Sequence, residues 1–186
     1  WDGLEGLSLS LLGVHQRRNA AVALTTMRLL REKGWRIGED AMRAGLARAT
    51  WPGRFEVLSR APLFLVDGGH NPQCVEALAQ NLREYLPGRQ VTALAGVMAD
   101  KDYPAMFAAI DPLIARYVVV TPPSPRALAA ETLAELLKGF GKPVTVCGAT
   151  REGVAEAVRQ AGPEGAVCAF GSLYIVGDIR ACFQKE

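Results

Sequence analysis

Apolar and polar positions change rhythm twice along the 186-residue chain. Residues 19–33, NAAVALTTMRLLREK, carry apolar side chains at helical spacing, and Gly34 supplies a stop. Residues 38–49, GEDAMRAGLARA, predict a second, shorter helix that ends before Trp51-Pro52. The segment TWPGRF then reads as a joint between units. Beyond it, short β-prone runs alternate with amphipathic stretches. FEVLS and LFLVD predict two strands of a hairpin, and PQCVEALAQNLREYL a helix with Pro72 in its first turn. VTALAGV predicts a strand, PAMFAAIDPLIA a helix interrupted near Pro112, and YVVVT a strand. ETLAELLKGF (helix), PVTVC (strand), REGVAEAVRQA (helix), AVCAF (strand) and SLYIVGDIRACF (terminal helix) complete the series.

Strand–helix alternation of this kind predicts an α/β fold with a mostly parallel, doubly wound sheet. The continuous apolar run YVVV fits burial on both faces. Ligands in such sheets lie beyond the carboxyl ends of the strands. The loops of interest are therefore DGGHNP, MADKD, TPPSP and GSLY.

Composition narrows the classes. The chain is 49% hydrophobic and 22% charged, as globular domains are. Its length supports one core, or one domain and part of another. A net charge of +2 without a basic block argues against nucleic acid and lipid surfaces as partners. Cys74, Cys147, Cys168 and Cys182 show no metal-like spacing. Three of them fall among apolar residues, which predicts reduced, buried cysteines of a cytoplasmic protein. No apolar run is long enough to span a membrane. Without an initiating Met or a signal-peptide pattern, a chain opening WDGLEGLSLSLLG is expected to be a fragment beginning inside a longer protein.

The phosphate loop GxxxxGK[ST] is absent, because the one Gly-Lys pair, Gly141-Lys142, runs into Pro143. GFGKPV starts like a dinucleotide fingerprint but follows a helix and precedes a strand, so it reads as a helix-ending turn. With only His15 and His70, no multi-histidine metal site can be built. Six positions carry two readings each. Asn19 is either the N-cap of its helix, with His15 in the preceding loop, or an amide that probes a purine edge. Arg54 makes a surface ion pair, or clasps a phosphate with its planar fork. Asp67 caps the helix beginning near Pro72, or accepts from ribose hydroxyls. His70 closes its loop or faces a ligand. Lys101 is a solvated charge or a carboxylate partner. Ser172 is the N-cap of the last helix, or offers its hydroxyl to a carboxylate.

In order along the chain, LLGVHQRRNAAVAL, WPGRFEVL, LFLVDGGHNP, GVMADKD and FGSLYIVGDIR resemble the carboxyl-terminal part of the folylpolyglutamate synthase/dihydrofolate synthase family, within the ATP-dependent Mur ligase superfamily. The resemblance runs from about Leu11 to Arg180. It implies that residues 1–50 are the helical tail of a central ATPase domain, and residues 53–186 a Rossmann-like C-terminal glutamate ligase domain. The implied reaction adds L-glutamate to a folate or to dihydropteroate through an acyl phosphate made with ATP. It also implies Mg²⁺, whose ligands and phosphate-cradling lysine lie upstream, so the fragment alone is expected to be inactive; His15 need not be a metal ligand. By the same resemblance Asn19 meets the adenine, Arg54 the phosphates and Asp67 the ribose of ATP. His70 faces the domain cleft, and, by analogy with amino-acid-adding relatives, Lys101 and Ser172 hold the carboxylates of the incoming glutamate. The family more often has DGAHNP where this chain has DGGHNP, so Gly69 lacks one methyl. A monomer is expected. Two alternatives stay open: a peptidoglycan-precursor ligase of the same superfamily, and a non-catalytic α/β module that binds a small ligand or a partner.

Overall fold

A computed structural model describes residues 3–184. The chain divides into two compact units, Trp1–Pro52 and Gly53–Glu186.

The first unit is built on α1 (Val14–Glu32) and α2 (Glu39–Arg48). Helix α1 starts five residues earlier than its apolar spacing predicts, after Gly13 at φ 122. Asn19 therefore lies inside the helix, and both the N-cap reading of Asn19 and the loop reading of His15 are overturned. The reason is local: the polar run HQRR hides a helical turn in which Gln16 is buried, and apolar periodicity does not register it. Glu39 and Asp40 occupy the first turn of α2, where carboxylates favour the positive end of the helix dipole. The preceding segment is tied to α2, since Arg43 Nη1 donates to Glu5 O at 2.7 Å and Ser10 N to Leu46 O at 3.2 Å. Leu24 and Met42 are buried.

In the second unit β1 (Glu56–Arg60) pairs antiparallel with β2 (Leu63–Val66), the predicted hairpin. The remaining strands are β3 (Val91–Ala95), β4 (Ile114–Val120), β5 (Val144–Cys147) and β6 (Ala166–Phe170). The sheet order is β1-β2-β6-β3-β4-β5, and every pair beyond the hairpin is parallel. From β2 to β5 the chain steps in one direction through α3 (Pro72–Tyr85), α4 (Tyr103–Ile110) and α5 (Ala130–Lys138). Right-handed crossovers put these three helices on one face. The return to β6 reverses direction, so α6 (Thr150–Ala161) covers the opposite face together with α7 (Leu173–Ala181). The doubly wound architecture follows from that single reversal. It also leaves β6, whose exit leads to α7, between β2 and β3, whose exits lead to α3 and α4.

Alternation along the strands sorts the core. Phe64, Val66, Leu94, Val118, Val120, Val167 and Ala169 pack with Val154, Ala157, Ile175 and Ile179 of the two return helices. On the other face Phe107 of α4 meets Phe170 at 5.4 Å and Tyr117 at 5.9 Å between ring centroids. Two expectations need correction. Residues 114–115, assigned by periodicity to a helix, open β4 instead, because the 3₁₀ turn Asp111–Leu113 with Pro112 ends the helical run. Asp111 anchors that turn, accepting from the Tyr117 hydroxyl at 2.8 Å and pairing with Lys142 at 2.9 Å. All four cysteines are free thiols, but only Cys168 is buried. Burial, with the Asp67 carboxylate second, pushes its thiol far above the ordinary range.

Phe107→Ala removes the ring shared by α4, β4 and β6, all fully buried there. Denaturant unfolding is expected to show a loss of about 3–5 kcal/mol; a loss under about 1 kcal/mol would mean that the neighbouring rings do not depend on it.

Candidate functional site

Strand β2 ends at Val66 and delivers Asp67, 8% exposed, to the carboxyl edge of the sheet. Its Oδ2 accepts the Phe55 N–H at 2.9 Å and its Oδ1 the Gly69 N–H at 2.7 Å. Phe55 holds φ 43, a left-handed conformation uncommon for a residue with a side chain. Its ring is buried against Tyr85, 5.5 Å between centroids, so ring burial and the carboxylate together hold the turn. Two residues further back, Gly53 O accepts from Gly68 N at 2.7 Å and Gly53 N donates to Glu56 Oε2, also at 2.7 Å. Glu56 is in turn paired with Arg180 at 3.1 Å. Gly53, at φ 71, leaves no room for a Cβ, which would lie 2.7 Å from Val176 Cγ1. Arg54 stands between these two pinned residues. Because β1 runs antiparallel to β2, the turn sits at the carboxyl edge, and Arg54 is exposed. Its expected surface ion pair is not formed with any described residue.

The capping alternative for Asp67 is overturned. Asn71 caps α3 instead, accepting the Cys74 N–H at 2.9 Å, with Pro72 in the first turn. His70 is half-buried, with Nδ1 2.9 Å from Gly68 O. A carbonyl only accepts, so Nδ1 carries the proton and Nε2 is left as an acceptor in the uncharged ring. An alanine methyl at Gly69 would come 3.0 Å from Asp67 Oδ1, so the glycine relieves a tight contact beside that carboxylate.

The loops after β2, β6 and β3 meet backbone to backbone. Gly171 N donates to Gly69 O at 2.9 Å, and a Cβ on Gly171 would lie 2.7 Å from Gly96 O. Ser172, 1% exposed, realises its N-cap reading: Oγ accepts the Tyr174 N–H at 3.1 Å and keeps its own O–H. Lys101 is not a lone solvated charge. Its Nζ lies 3.2 Å from Asp100 Oδ2, and Arg126 approaches the same oxygen at 3.9 Å. The Lys101 hydrogen bond foremost holds the Asp100 carboxyl below its usual range. Arg126 also reaches the Tyr174 hydroxyl at 3.5 Å. Sequence reasoning singled out the TPPSP loop but stopped one residue short of Arg126. The structure thus brings Arg54, Asp67, His70, Lys101 and Ser172 to one edge and adds Arg126.

Asn19 belongs to the first unit, where it is exposed on α1. It borders a cavity of about 200 Å³ with apolar walls from Leu9, Leu11, Ala20, Ala23, Leu46 and Ala49. Its Nδ2 donates to Gln16 Oε1 at 2.9 Å, and Gln16 Nε2 lies 3.1 Å from His15 Nε2. Gln16 stands out in the sequence together with His15 and Asn19, but its burial, at 5% exposed, is not legible there, because a glutamine beside two arginines looks like surface. Among the described residues no group of three or more His, Cys, Asp or Glu side chains is placed to hold a metal ion. Nor is any helix among them long and apolar enough to cross a membrane.

Comparison with known proteins agrees with this architecture. Residues 53–173 match the model of the Mur ligase, glutamate ligase domain family. The chain is 32% identical to folylpolyglutamate synthase of Lacticaseibacillus casei over 96% of its own length and 41% of that protein's. It superposes on Mycobacterium tuberculosis folylpolyglutamate synthase, crystallised with ADP and AMPPCP, with a TM-score of 0.85 and 33% identity, covering 97% of this chain and 42% of that one. The Escherichia coli protein FolC in complex with DHPP and ADP gives a TM-score of 0.83 at 29% identity, over 96% of this chain and 41% of that one. The chain therefore spans well under half the length of these relatives.

Asp67→Asn replaces one acceptor oxygen with a donor, leaving a buried backbone N–H unmatched. It is expected to lose about 1–3 kcal/mol in denaturant unfolding and to speed hydrogen exchange at the Phe55 amide. Asn71→Ala is expected to lose about 1 kcal/mol and leave that amide protected. Unchanged Phe55 protection in the Asp67 variant would remove the carboxylate from its role in the turn.

Proposed function

The chain belongs to the Mur ligase family through its glutamate ligase domain, and on that premise we propose that it is part of an ATP-dependent ligase that adds L-glutamate to folates or dihydropteroate. The observation that carries this reading is Arg54, an exposed guanidinium without an ion pair among the described residues, held at the carboxyl edge by a turn that Asp67 pins. The ADP bound to the M. tuberculosis and E. coli relatives, and the similarity to a L. casei protein named for folylpolyglutamate synthesis, support a nucleotide and a folate as its ligands.

The chemistry sets what the residues must do. A carboxylate is a poor electrophile, so an oxygen of the acceptor carboxylate attacks the γ-phosphorus of ATP and ADP leaves. The amine nitrogen of glutamate then attacks the acyl carbon, and inorganic phosphate leaves as the nitrogen loses a proton. Such transfers depend on positioning and on neutralising phosphate charge. Arg54 supplies a planar fork for phosphate oxygens. Asp67, each of whose oxygens takes one backbone amide, brings an acceptor carboxylate toward a ribose hydroxyl. His70 offers Nε2 to a nucleotide or substrate group. Lys101, with Arg126 beside it, and the Ser172 hydroxyl attract the two carboxylates of glutamate. In the first unit Asn19 meets the adenine, its amide at the mouth of an apolar cavity suited to a planar ring. The Mg²⁺ implied by the reaction does not fit the described residues as a site of their own, and no step here runs through it. The first unit is proposed as the tail of the ATPase domain, and the 186 residues, which lack GxxxxGK[ST], are expected to turn over no ATP alone.

In the full-length protein, Arg54→Ala is expected to raise the KM for ATP by about ten- to a hundredfold and leave the affinity for the folate acceptor unchanged. Steady-state kinetics with dihydropteroate, tetrahydrofolate and UDP-linked acceptors tests this and the acceptor class together. An effect on folate affinity alone would move the phosphates elsewhere, and turnover with UDP-linked acceptors only would favour a peptidoglycan-precursor ligase.

A further inference from the structure

Among the described residues of the first unit Gln16 is the most buried polar side chain, and its amide lies between the Asn19 carboxamide and the His15 ring. Its Oε1 accepts one Asn19 Nδ2–H at 2.9 Å, which makes its Nε2 the donor toward His15 Nε2 at 3.1 Å. We propose that Gln16 is a specificity-determining residue that locks the Asn19 carboxamide in the orientation that selects adenine over guanine; this rests on the reading of Asn19 as the residue that meets the base.

With one Nδ2–H committed to Gln16, Asn19 presents one N–H and its Oδ1 at the mouth of the apolar cavity. Adenine offers the matching pattern, a donor at N6 and an acceptor at the adjacent ring nitrogen. Guanine carries an acceptor, O6, where adenine has its N6 donor, so Oδ1 and O6 would face each other lone pair to lone pair. A carboxamide free to rotate escapes this conflict, because its N–H and C=O exchange places at little cost and its ends are nearly the same shape. Asn19 by itself therefore discriminates weakly. Rotation in the present arrangement would set Asn19 Oδ1 against Gln16 Oε1, two acceptors with no proton between them. Gln16 can follow that rotation only if the His15 ring also moves its proton from one nitrogen to the other, so the three groups turn together or not at all. Burial of Gln16 removes water as an alternative partner, so the lock holds where an exposed glutamine would not.

Three variants of the full-length protein separate the possibilities, each read as the ratio of kcat/KM for ATP over GTP and checked for folding by thermal melting. Gln16→Met removes the acceptor at similar volume, and its ATP preference is expected to fall about tenfold while kcat at saturating ATP stays within about twofold. Gln16→Glu keeps an acceptor for Asn19 Nδ2–H and is expected to retain the wild-type ratio. Asn19→Ala is expected to lose the preference as well. Gln16→Ala stands in for the Met variant should that fail to fold. A wild-type ratio in the truncated Gln16 variants, with loss in Asn19→Ala, would overturn the lock and leave the base assignment intact. Equal loss in the Met and Glu variants would overturn it too, reducing Gln16 to a packing residue. A wild-type ratio in Asn19→Ala would overturn the base assignment itself.

Discussion

The carboxylate of Asp67 takes two backbone N–H groups from chain segments twelve residues and two residues away, and much of the second unit's functional edge depends on that clamp. A left-handed φ at a phenylalanine costs on the order of 1–3 kcal/mol. A buried hydrogen bond to an ionised acceptor contributes about 1.5–3 kcal/mol, so the two bonds offset the strain with some margin. The bent backbone at Phe55 then projects Arg54 outward beside the DGGHNP loop instead of along β1. An Asp suits this position because its short side chain reaches both the Phe55 and the Gly69 amides.

The same edge holds cations and carboxylates in near balance, as does the chain as a whole, whose formal net charge is only +2. Each nearby carboxylate is already engaged. Asp67 is held by amides, Glu56 by Arg180, and Asp100 by both Lys101 and Arg126. Asp102, beside Lys101, caps α4 through the Ala105 N–H and offsets the second cation, so Arg54 is the guanidinium of this edge without an ion pair among the described residues. Its placement, more than composition, gives the edge its pull on anions. The glycines at 69, 96 and 171 let three loops approach at backbone distance, which keeps these side chains on rigid stems.

Much of this was legible in the sequence. LFLVDGGHNP announces a strand, a loop and a proline-led helix, and each formed as its residues imply. The α/β order was legible because buried strands such as YVVV and amphipathic helices such as ETLAELLK obey different periods. What escaped was either nonlocal or polar. The start of α1 hid in HQRR, whose one buried member is a glutamine. The role of Asp67 in the turn required knowing that Phe55 lies across the hairpin, a fact set by strand pairing. Residues 114–115 were lost to the helix because a short apolar run fits both periods until Asp111 and Pro112 make a 3₁₀ turn.

The two units therefore present different physics. The second offers exposed cations, which attract phosphates and carboxylates over distance but lose strength within a Debye length of about 8 Å at physiological salt. Charges of this kind speed capture and say little about which nucleotide has arrived, since ATP and GTP carry the same phosphates. The first unit offers an apolar cavity bordered by neutral amides, whose donors and acceptors are insensitive to salt and differ in sign between one purine and another. On the proposed assignments, affinity and choice can be altered separately in this sequence. A change at Arg54 would act on the first, and a change at Gln16 or Asn19 on the second.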